Sequence, residues 1–250
     1  MNKKQRERYS RQICLPKVGE AGQQKILDSR ILIIGMGGLG SPAAMYLAAA
    51  GVGHIVISDY DRVEITNLQR QIVHGIEDVG ELKADSAKQS LLSINPDMQV
   101  TALDWQLDEA ELLEQINLAD IVLDCSDNYP TRMAVNKASI ATLTPLVSGA
   151  VIRMEGQVAT YLPAQSESPC YQCLYGPEFE QAETCDAEGV IAPLVGVIGS
   201  LQAMQALLVV LGLTDGLTAK LILVDGLHME HRTLKVGKDP ACTACNNTSS

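Results

Sequence analysis

The sequence predicts an α/β fold in which helices cover both faces of a mostly parallel sheet. Short apolar runs typical of buried parallel strands recur along the chain, and segments with the apolar spacing of helices lie between them. A glycine-rich segment also follows the first apolar run and opens a helical segment, which is the connection expected between a strand and the next helix of such a sheet.

The elements can be placed in chain order. A helix over residues 20–28 precedes a strand over 30–34, and a helix over 39–50 separates this strand from a second one over 54–58. Further strand-like runs cover residues 98–103, 121–123, 145–147, 157–162 and 221–224. Helical patterns between several of them cover residues 82–94, 109–116 and 131–142. This alternation favours parallel pairing of the strands.

Composition excludes several classes of protein. A chain of 250 residues that is 46% hydrophobic and 20% charged is neither disordered nor collagen-like, and it is long enough to bury a substantial core. Nineteen Lys and Arg against thirty Asp and Glu give a net charge of −11. Because a polyanion would be repelled by this mean charge, we expect no nucleic-acid partner and a local site for any phosphate.

Two segments depart from the alternating pattern. Residues 164–189 form a long polar stretch and are a candidate functional loop. Residues 190–213 lack any charge and are long enough to span a membrane, but they contain Pro193, Gln202 and Gln205 and no flanking Lys/Arg cluster. We expect a buried helix or a subunit interface there, no membrane partner and, without an apolar leader, a cytoplasmic protein.

The glycine-rich segment carries the strongest functional signal. Gly35, Gly37 and Gly40 stand in a G-x-G-x-x-G pattern between strand and helix, which suits a tight turn, a phosphate near the backbone and close helix packing. Asp59, at the end of the second strand, is placed to bind ribose hydroxyls. Together they predict a Rossmann-like nucleotide site without naming the nucleotide, the alternative being glycines that only form a turn.

Charged residues beyond the second strand favour a triphosphate. Displacement at phosphorus needs cations around its oxygens and a carboxylate for Mg²⁺. Arg70 and Lys83 can supply the cations, and Asp127 the carboxylate. Taken singly, the two cations could be solvated surface charges and Asp127 could be a helix N-cap. As a set beside a glycine loop, they favour a nucleotide-transfer site.

Several segments of the chain resemble the motifs of a known family. The bacterial ubiquitin-activating-enzyme-like (E1-like) adenylyltransferases, which adenylate the sulfur carrier of molybdopterin synthase or of thiamine synthesis, carry motifs similar to five segments of the chain. These segments are RYSRQ at 8–12, GMGGLGSP at 35–42, NLQRQ at 67–71, DCSDN at 124–128, and SGA through RMEGQ at 148–157. The resemblance covers nearly the entire chain and its motifs occur in the family order.

The resemblance implies a substrate, cofactors and site residues. ATP and Mg²⁺ would be bound by the family positions Gly38, Asp59, Thr66, Asn67, Leu68, Gln69, Arg70, Lys83, Asp127 and Asn128. It implies a homodimer in which Arg11 reaches the neighbouring subunit's site. It also implies a single E1-like domain over residues 1–250, with a nucleotide-binding half at about 30–150 and a carrier-binding and zinc region at about 151–250.

The cysteines form two separated pairs. Cys170 with Cys173 and Cys242 with Cys245 each have C-x-x-C spacing, which together could make a closed tetrahedral Zn²⁺ site. The 68 residues between the pairs leave two separate redox pairs as the alternative. The resemblance implies zinc, which would pin the C-terminal region to the root of the long loop.

Three cysteines remain: Cys14, Cys125 and Cys185. Cys14 and Cys125 lie in apolar sequence and are expected to be small core residues. Cys185 has acidic neighbours that should raise its pKa and favour an inert thiol. It nevertheless matches the position at which some family members form a covalent bond to the carrier, so both interpretations remain.

The implied partner is a small ubiquitin-like sulfur-carrier protein with a Gly-Gly C-terminus, together with a cysteine desulfurase or another sulfur donor. Residues 148–157 look more similar to the molybdopterin branch than to the thiamine branch. Two functions of other classes remain open. An NAD-dependent oxidoreductase would share the glycine loop and Asp59, and an inactive carrier-binding module would share the fold.

Overall fold

An eight-stranded sheet organises the computed structural model, which describes residues 1–176 and 188–246. Its strands, in spatial order β3-β2-β1-β4-β5-β6-β7-β8, are β1 Arg30–Ile34, β2 His54–Ser58, β3 Gln99–Leu103, β4 Ile121–Asp124, β5 Leu146–Ile152, β6 Glu155–Tyr161, β7 Lys220–Asp225 and β8 Glu230–Lys235. Strands β3, β2, β1, β4 and β5 pair in parallel, whereas β6, β7 and β8 continue the sheet antiparallel. The predicted α/β class with a mostly parallel sheet is confirmed.

Helices lie on both faces of the sheet, as predicted. They are α1 Lys3–Arg8, α2 Ser10–Ile13, α3 Gly19–Asp28, α4 Gly40–Ala50, α5 Lys83–Ile94, α6 Glu109–Asn117, α7 Tyr129–Thr142, α8 Tyr171–Leu174 and α9 Ala192–Leu211. Alternate residues of β1 point to opposite faces. Ile31 and Ile33 pack with α4, α5 and α9, whereas Leu32 and Ile34 pack with α6 and α7.

Two parts of the fold were missed by the sequence patterns. Strand β8 has the sequence EHRTLK and is exposed throughout, so it shows no apolar alternation. Helices α1 and α2 bury few side chains, although Tyr9 between them is buried. The expectation that Cys14 is a core residue is wrong, because its position at the end of α2 leaves it exposed. Cys125 is buried, as expected.

The apolar segment 190–213 forms α9. By length and composition alone this helix could cross a membrane, but its inner side packs against α4 and across β5 and β6. Two buried amides anchor it: Gln202 Nε2 donates to the Asp124 carbonyl at 2.8 Å, and the Thr160 hydroxyl donates to Gln205 Oε1 at 2.5 Å. Val197 and Met204 remain exposed on its outer side.

Candidate active site

A cleft of about 990 Å³ opens at the carboxyl ends of β1, β2 and β4. The loops that follow parallel strands collect at this edge, where open α/β sheets bind their ligands. The cleft brings together six of the residues predicted for the nucleotide site: Gly38, Asp59, Arg70, Lys83, Asp127 and Asn128.

The glycine segment makes the turn from β1 into α4. Gly35 has a φ of +90°, a conformation that glycine adopts without strain. A Cβ on Gly40 would lie 2.1 Å from the Gly35 carbonyl oxygen, so packing excludes any side chain there. A Cβ on Gly37 would meet only Gln71 Nε2, at 3.6 Å. Gly40 therefore serves packing, whereas Gly37 leaves the backbone open to a ligand.

Asp59 follows β2 and is held from two sides. The Met36 N–H donates to its Oδ2 at 2.7 Å, and the Asp61 N–H donates to its Oδ1 at 2.9 Å. Burial raises the pKa of Asp59, although the charge of Lys83 and these two hydrogen bonds oppose the rise. The carboxylate is thus fixed in orientation beside the glycine loop.

The two predicted cations line the cleft and contact oxygen atoms. Lys83 Nζ lies 2.9 Å from Asp61 Oδ2, and the lysine side chain is only 9% exposed. The Arg70 guanidinium donates to the Thr66 carbonyl at 3.1 Å. Because Asp61 already balances Lys83, a bound anion would have to compete with that carboxylate. Sequence reasoning did not single out Asp61 as this partner.

Asp127 and Asn128 follow β4 and precede α7. The N-cap of α7 is Asn128, whose Oδ1 accepts from the Thr131 N–H at 3.0 Å. The alternative interpretation of Asp127 as the N-cap is therefore wrong. Asp127 is exposed in the cleft, where Asn128 Nδ2 lies 3.4 Å from its Oδ1.

Five predicted residues do not belong to the cleft lining of the described chain: Arg11, Thr66, Asn67, Leu68 and Gln69. Asn67 builds the turn before Arg70, because its carbonyl accepts the Arg70 and Gln71 N–H groups, both at 3.0 Å. Its own Oδ1 accepts the Glu64 N–H at 3.1 Å. Arg11 is exposed on α2. Asn67 thus forms the turn that leads to Arg70 at the cleft.

The four paired cysteines converge at one point, and none of them lines the cleft, although Tyr171 between Cys170 and Cys173 does. Their sulfur atoms all lie within 4.8 Å of one another, with Sγ–Sγ distances of 3.8 Å from Cys170 to Cys173, 3.6 Å from Cys170 to Cys242 and 3.6 Å from Cys173 to Cys245. A tetrahedral zinc with bonds of about 2.3 Å separates its sulfur ligands by about 3.8 Å. The cluster therefore fits one Zn²⁺, which favours a shared site over two separate redox pairs.

Burial makes two of these thiols harder to ionise. It raises the pKa of Cys170, and it raises the pKa of Cys245 to about 12. Thiols become metal ligands as thiolates, so a metal entering the cluster would displace protons. Cys185, the remaining candidate, lies outside the described residues.

Sequence reasoning also missed two residues of the cleft. Gln71 is 4% exposed and its Oε1 has no hydrogen-bond partner within the described chain. It directly follows Arg70, so the NLQRQ run itself was the available signal. Arg132 is 8% exposed and lines the cleft from α7. Arg132 and Asn136 are four residues apart on the predicted helix and so share one face, but the sequence alone does not show that this face is buried.

Comparisons with known proteins identify the family of the chain. The profile of the ThiF family matches residues 9–244. The chain is 45% identical over 238 residues to molybdopterin-synthase adenylyltransferase of Escherichia coli strain K12, covering 95% of each protein. It is 42% identical over 249 residues to the sulfur carrier protein ThiS adenylyltransferase of the same strain, covering 100% of this chain and 98% of that protein.

A solved structure shows the same fold. The crystal structure of E. coli MccB with MccA-N7isoASN has a TM-score of 0.82 and 25% sequence identity, covering 95% of this chain and 74% of that one. The predicted E1-like adenylyltransferase type, and with it an enzyme, is confirmed by the family match and by relatives that bear this name. By sequence, the chain belongs to the ThiF family.

Proposed function

We propose that the protein uses ATP to adenylate the C-terminal carboxylate of a small ubiquitin-like sulfur-carrier protein that ends in Gly-Gly. The observation that carries this proposal is the extent of the cleft. From the glycine loop it continues past Gly156 and Gln157 to Asp225 and Arg232 on β7 and β8. One end suits a nucleotide, and the other leaves a path along the sheet for an extended peptide tail.

The reaction joins the tail to AMP. A carboxylate oxygen of the carrier attacks the α-phosphorus of ATP, the new acyl–O–P bond forms, and the bond from the α-phosphorus to the bridging oxygen breaks so that pyrophosphate leaves. A free carboxylate is a poor electrophile, whereas AMP is a leaving group that a sulfur nucleophile can later displace. Because the carboxylate is already ionised, the step needs alignment and charge neutralisation rather than a general base.

The residues around the cleft match these needs. We assign the ribose hydroxyls to Asp59 and the approach of the phosphates to the backbone at Gly38. Arg70 and Lys83 neutralise charge on the α-phosphate and on departing pyrophosphate. Asn67 forms the turn before Arg70 and in this way orients the triphosphate. Thr66, Leu68 and Gln69 belong to the same segment and are assigned to the nucleotide with it.

Two metal sites belong to the proposal. Asp127 and Asn128 would hold Mg²⁺, since carboxylate and amide oxygens are ligands it accepts and Asp127 is exposed in the cleft. Bound there, Mg²⁺ would supply positive charge to the phosphate oxygens. The cluster of Cys170, Cys173, Cys242 and Cys245 would hold a structural Zn²⁺.

The proposal includes a homodimer in the cytoplasm. Arg11 is exposed and does not reach the cleft lining of its own described chain, so a second copy would have to supply it. Ile65, Ile72 and Ile76 expose more than half of their surface in the segment between β2 and α5. We assign this apolar surface to contact with the second copy, whose Arg11 would add a cation to the phosphates.

For the carrier, we favour the small subunit of molybdopterin synthase over the thiamine carrier because of residues 148–157. Identities of 45% and 42% to the two relatives do not separate these choices. A cysteine desulfurase or another sulfur donor would consume the acyl-adenylate. Cys185 is the residue that would bond the carrier covalently in a branch that uses such a link.

The test is carrier-dependent exchange of labelled pyrophosphate into ATP. The purified protein is incubated with ATP and Mg²⁺, and each Gly-Gly carrier is added in turn. Exchange with the molybdopterin-type carrier is expected, and exchange only with the thiamine-type carrier would reassign the substrate. Carrier binding without exchange would identify an inactive binding module. Binding of NAD in preference to ATP would favour the oxidoreductase.

A further inference from the structure

A buried polar stripe runs along one face of α7. Arg132 is 8% exposed and Asn136 is 1% exposed, and they follow the N-cap Asn128 at intervals of four residues. Residues spaced by four lie on the same side of a helix. A guanidinium and an amide are seldom buried unless their hydrogen bonds are satisfied. The partners of this stripe therefore show what it holds in place.

At one end, Arg132 fixes the loop that leads to Asp127. Its Nη2 donates to the Ser126 carbonyl, and its Nη1 donates to Ser148 Oγ at 3.1 Å and lies 3.5 Å from Asp124 Oδ2. The Asp124 carboxylate in turn accepts the Ser126 N–H at 3.1 Å and the Ser148 hydroxyl at 2.8 Å. The residue before Asp127 is thus bound through both its N–H and its carbonyl.

At the other end, the same stripe contacts the cysteine cluster. Asn136 Oδ1 accepts the Tyr171 N–H at 2.9 Å, and its Nδ2 donates to Cys170 Sγ at 3.8 Å. The Arg132 guanidinium lies 6.0 Å from the centre of the Tyr171 ring. Tyr171 therefore contacts both stripe residues, and it directly follows the first cysteine of the cluster.

The topology explains why one helix can make both connections. Strand β4 ends at the cleft, whereas β6 runs antiparallel to β5 and so ends at the opposite edge of the sheet. Cys170 and Cys242 pack against Ile140, near the C-terminal end of α7, while Tyr171 beside Cys170 also lines the cleft. Helix α7 has 14 residues and spans about 21 Å, enough to cross the sheet from one edge to the other.

We propose that Arg132 is a positioning residue that holds Asp127 by fixing the Ser126 carbonyl, and that Asn136 and Tyr171 couple this loop to the cysteine cluster. The inference rests on the proposed function, because it concerns the acid assigned to Mg²⁺. Filling the cluster with metal fixes Cys170 and Tyr171, and this constraint passes along α7 to the loop. Weakening either connection should raise the Mg²⁺ concentration that Mg·ATP binding requires.

The test compares three variants on α7. Arg132→Lys keeps the charge but cannot donate to Ser126 and Ser148 in the same forked geometry. Asn136→Leu keeps the side chain branched at Cγ, with a somewhat larger volume, and removes the hydrogen bonds to Tyr171 and Cys170. Lys137→Met is the control, because Lys137 is exposed on the same helix and pairs only with Glu109 among the described residues.

Mg²⁺-dependent ATP binding is measured by calorimetry, and exchange is measured in parallel. We expect Arg132→Lys to raise the half-saturating Mg²⁺ concentration about tenfold and Asn136→Leu about threefold, with Lys137→Met unchanged. Zinc-stripped protein should shift in the direction of Asn136→Leu. A purely structural role would lower the active fraction or the Tm at an unchanged Mg²⁺ requirement, and that result for Arg132→Lys would overturn the proposal.

The coupling has its own decisive outcome. An Mg²⁺ requirement unchanged by Asn136→Leu in folded protein would overturn it, whether or not zinc-stripped protein stays folded. Failure of the proposed function looks different: the unaltered protein would bind Mg·ATP but show no exchange with any carrier. The calorimetric comparison would still decide the role of Arg132 in that case.

Discussion

The parallel half of the sheet, β3 to β5, and the antiparallel half, β6 to β8, gather their functional side chains differently. In the parallel half, the loops after β1, β2 and β4 all emerge at one edge and bring the glycine loop, Asp59 and Asp127 to one cleft. In the antiparallel half, the segments after β6 and β8 bring two cysteine pairs together. The residues proposed for adenylation and those proposed for zinc thus follow strands of different halves of the sheet.

The two sites should therefore respond differently to substitution, although they are connected through α7 and through Tyr171, which follows Cys170 and lines the cleft. A change in the cleft should remove activity and leave the fold intact. A change in the cysteine cluster should act first on stability.

Asp127→Ala should reduce carrier-dependent pyrophosphate exchange by about 10³-fold, because it removes the carboxylate proposed to hold Mg²⁺ beside the phosphates. The Tm should stay close to that of the unaltered protein, since Asp127 is exposed and the N-cap of α7 is Asn128. Asp104→Ala is the control, as Asp104 is exposed after β3 and is not part of the cleft lining. Full activity in Asp127→Ala would remove this residue from the site.

Cys242→Ser should destabilise the protein by about 3 kcal/mol, because it removes one ligand of the proposed zinc site. For a chain of this size the Tm should fall by about 6–12 °C, and bound zinc should fall from about one per chain. Cys14→Ser is the matched control, since Cys14 is exposed and far from the cluster in sequence. Intact protein that carries two disulfides and no zinc would instead support the redox interpretation.

The same contrast explains how much the sequence could predict. The segment from Gly35 to Gly40 and Asp59 could be identified from the sequence because each directly follows an apolar run that predicts a strand. The order of strands and helices then determined which edge they share. Lys83 was found as a cation, but its partner Asp61 was not, because the pair depends on how the segment between β2 and α5 folds back.

The antiparallel half was less predictable for a physical reason. The 68 residues between the cysteine pairs include α9 and two strands, so only the fold could establish that all four sulfur atoms meet. Strand β8 is exposed and has no apolar period. The buried pair of Asp124 and Arg132 is also a tertiary feature, because a charge on a helix indicates burial only once its neighbours are known.

Gly37→Ala should weaken ATP binding about tenfold without unfolding the protein. The added methyl group would meet only Gln71 Nε2 at 3.6 Å, so the fold accommodates it, but it would stand next to the Gly38 backbone to which the phosphates are assigned. Calorimetric titration with Mg·ATP and thermal unfolding measure the two effects. Gly237→Ala serves as the control, because a Cβ there contacts nothing within 4 Å. Unchanged affinity in Gly37→Ala would move the phosphates away from this glycine.

The smallest effect concerns pH and Asp59. Burial raises the pKa of this carboxyl group, so lowering the pH from about 8 to about 5 should protonate it before an ordinary aspartate. A neutral carboxyl group is a weaker acceptor for ribose hydroxyls, and we expect ATP affinity to fall about threefold more than in Asp59→Asn. The ATP phosphates titrate equally in both proteins, so the difference isolates Asp59.

A folded-state pKa of Asp59 above its unfolded value makes the ionised group destabilising at neutral pH, and this destabilisation disappears as the pH falls through the folded pKa. The Tm of the unaltered protein should therefore rise relative to that of Asp59→Asn as the pH falls. Parallel Tm curves would show that burial does not raise the folded-state pKa of Asp59.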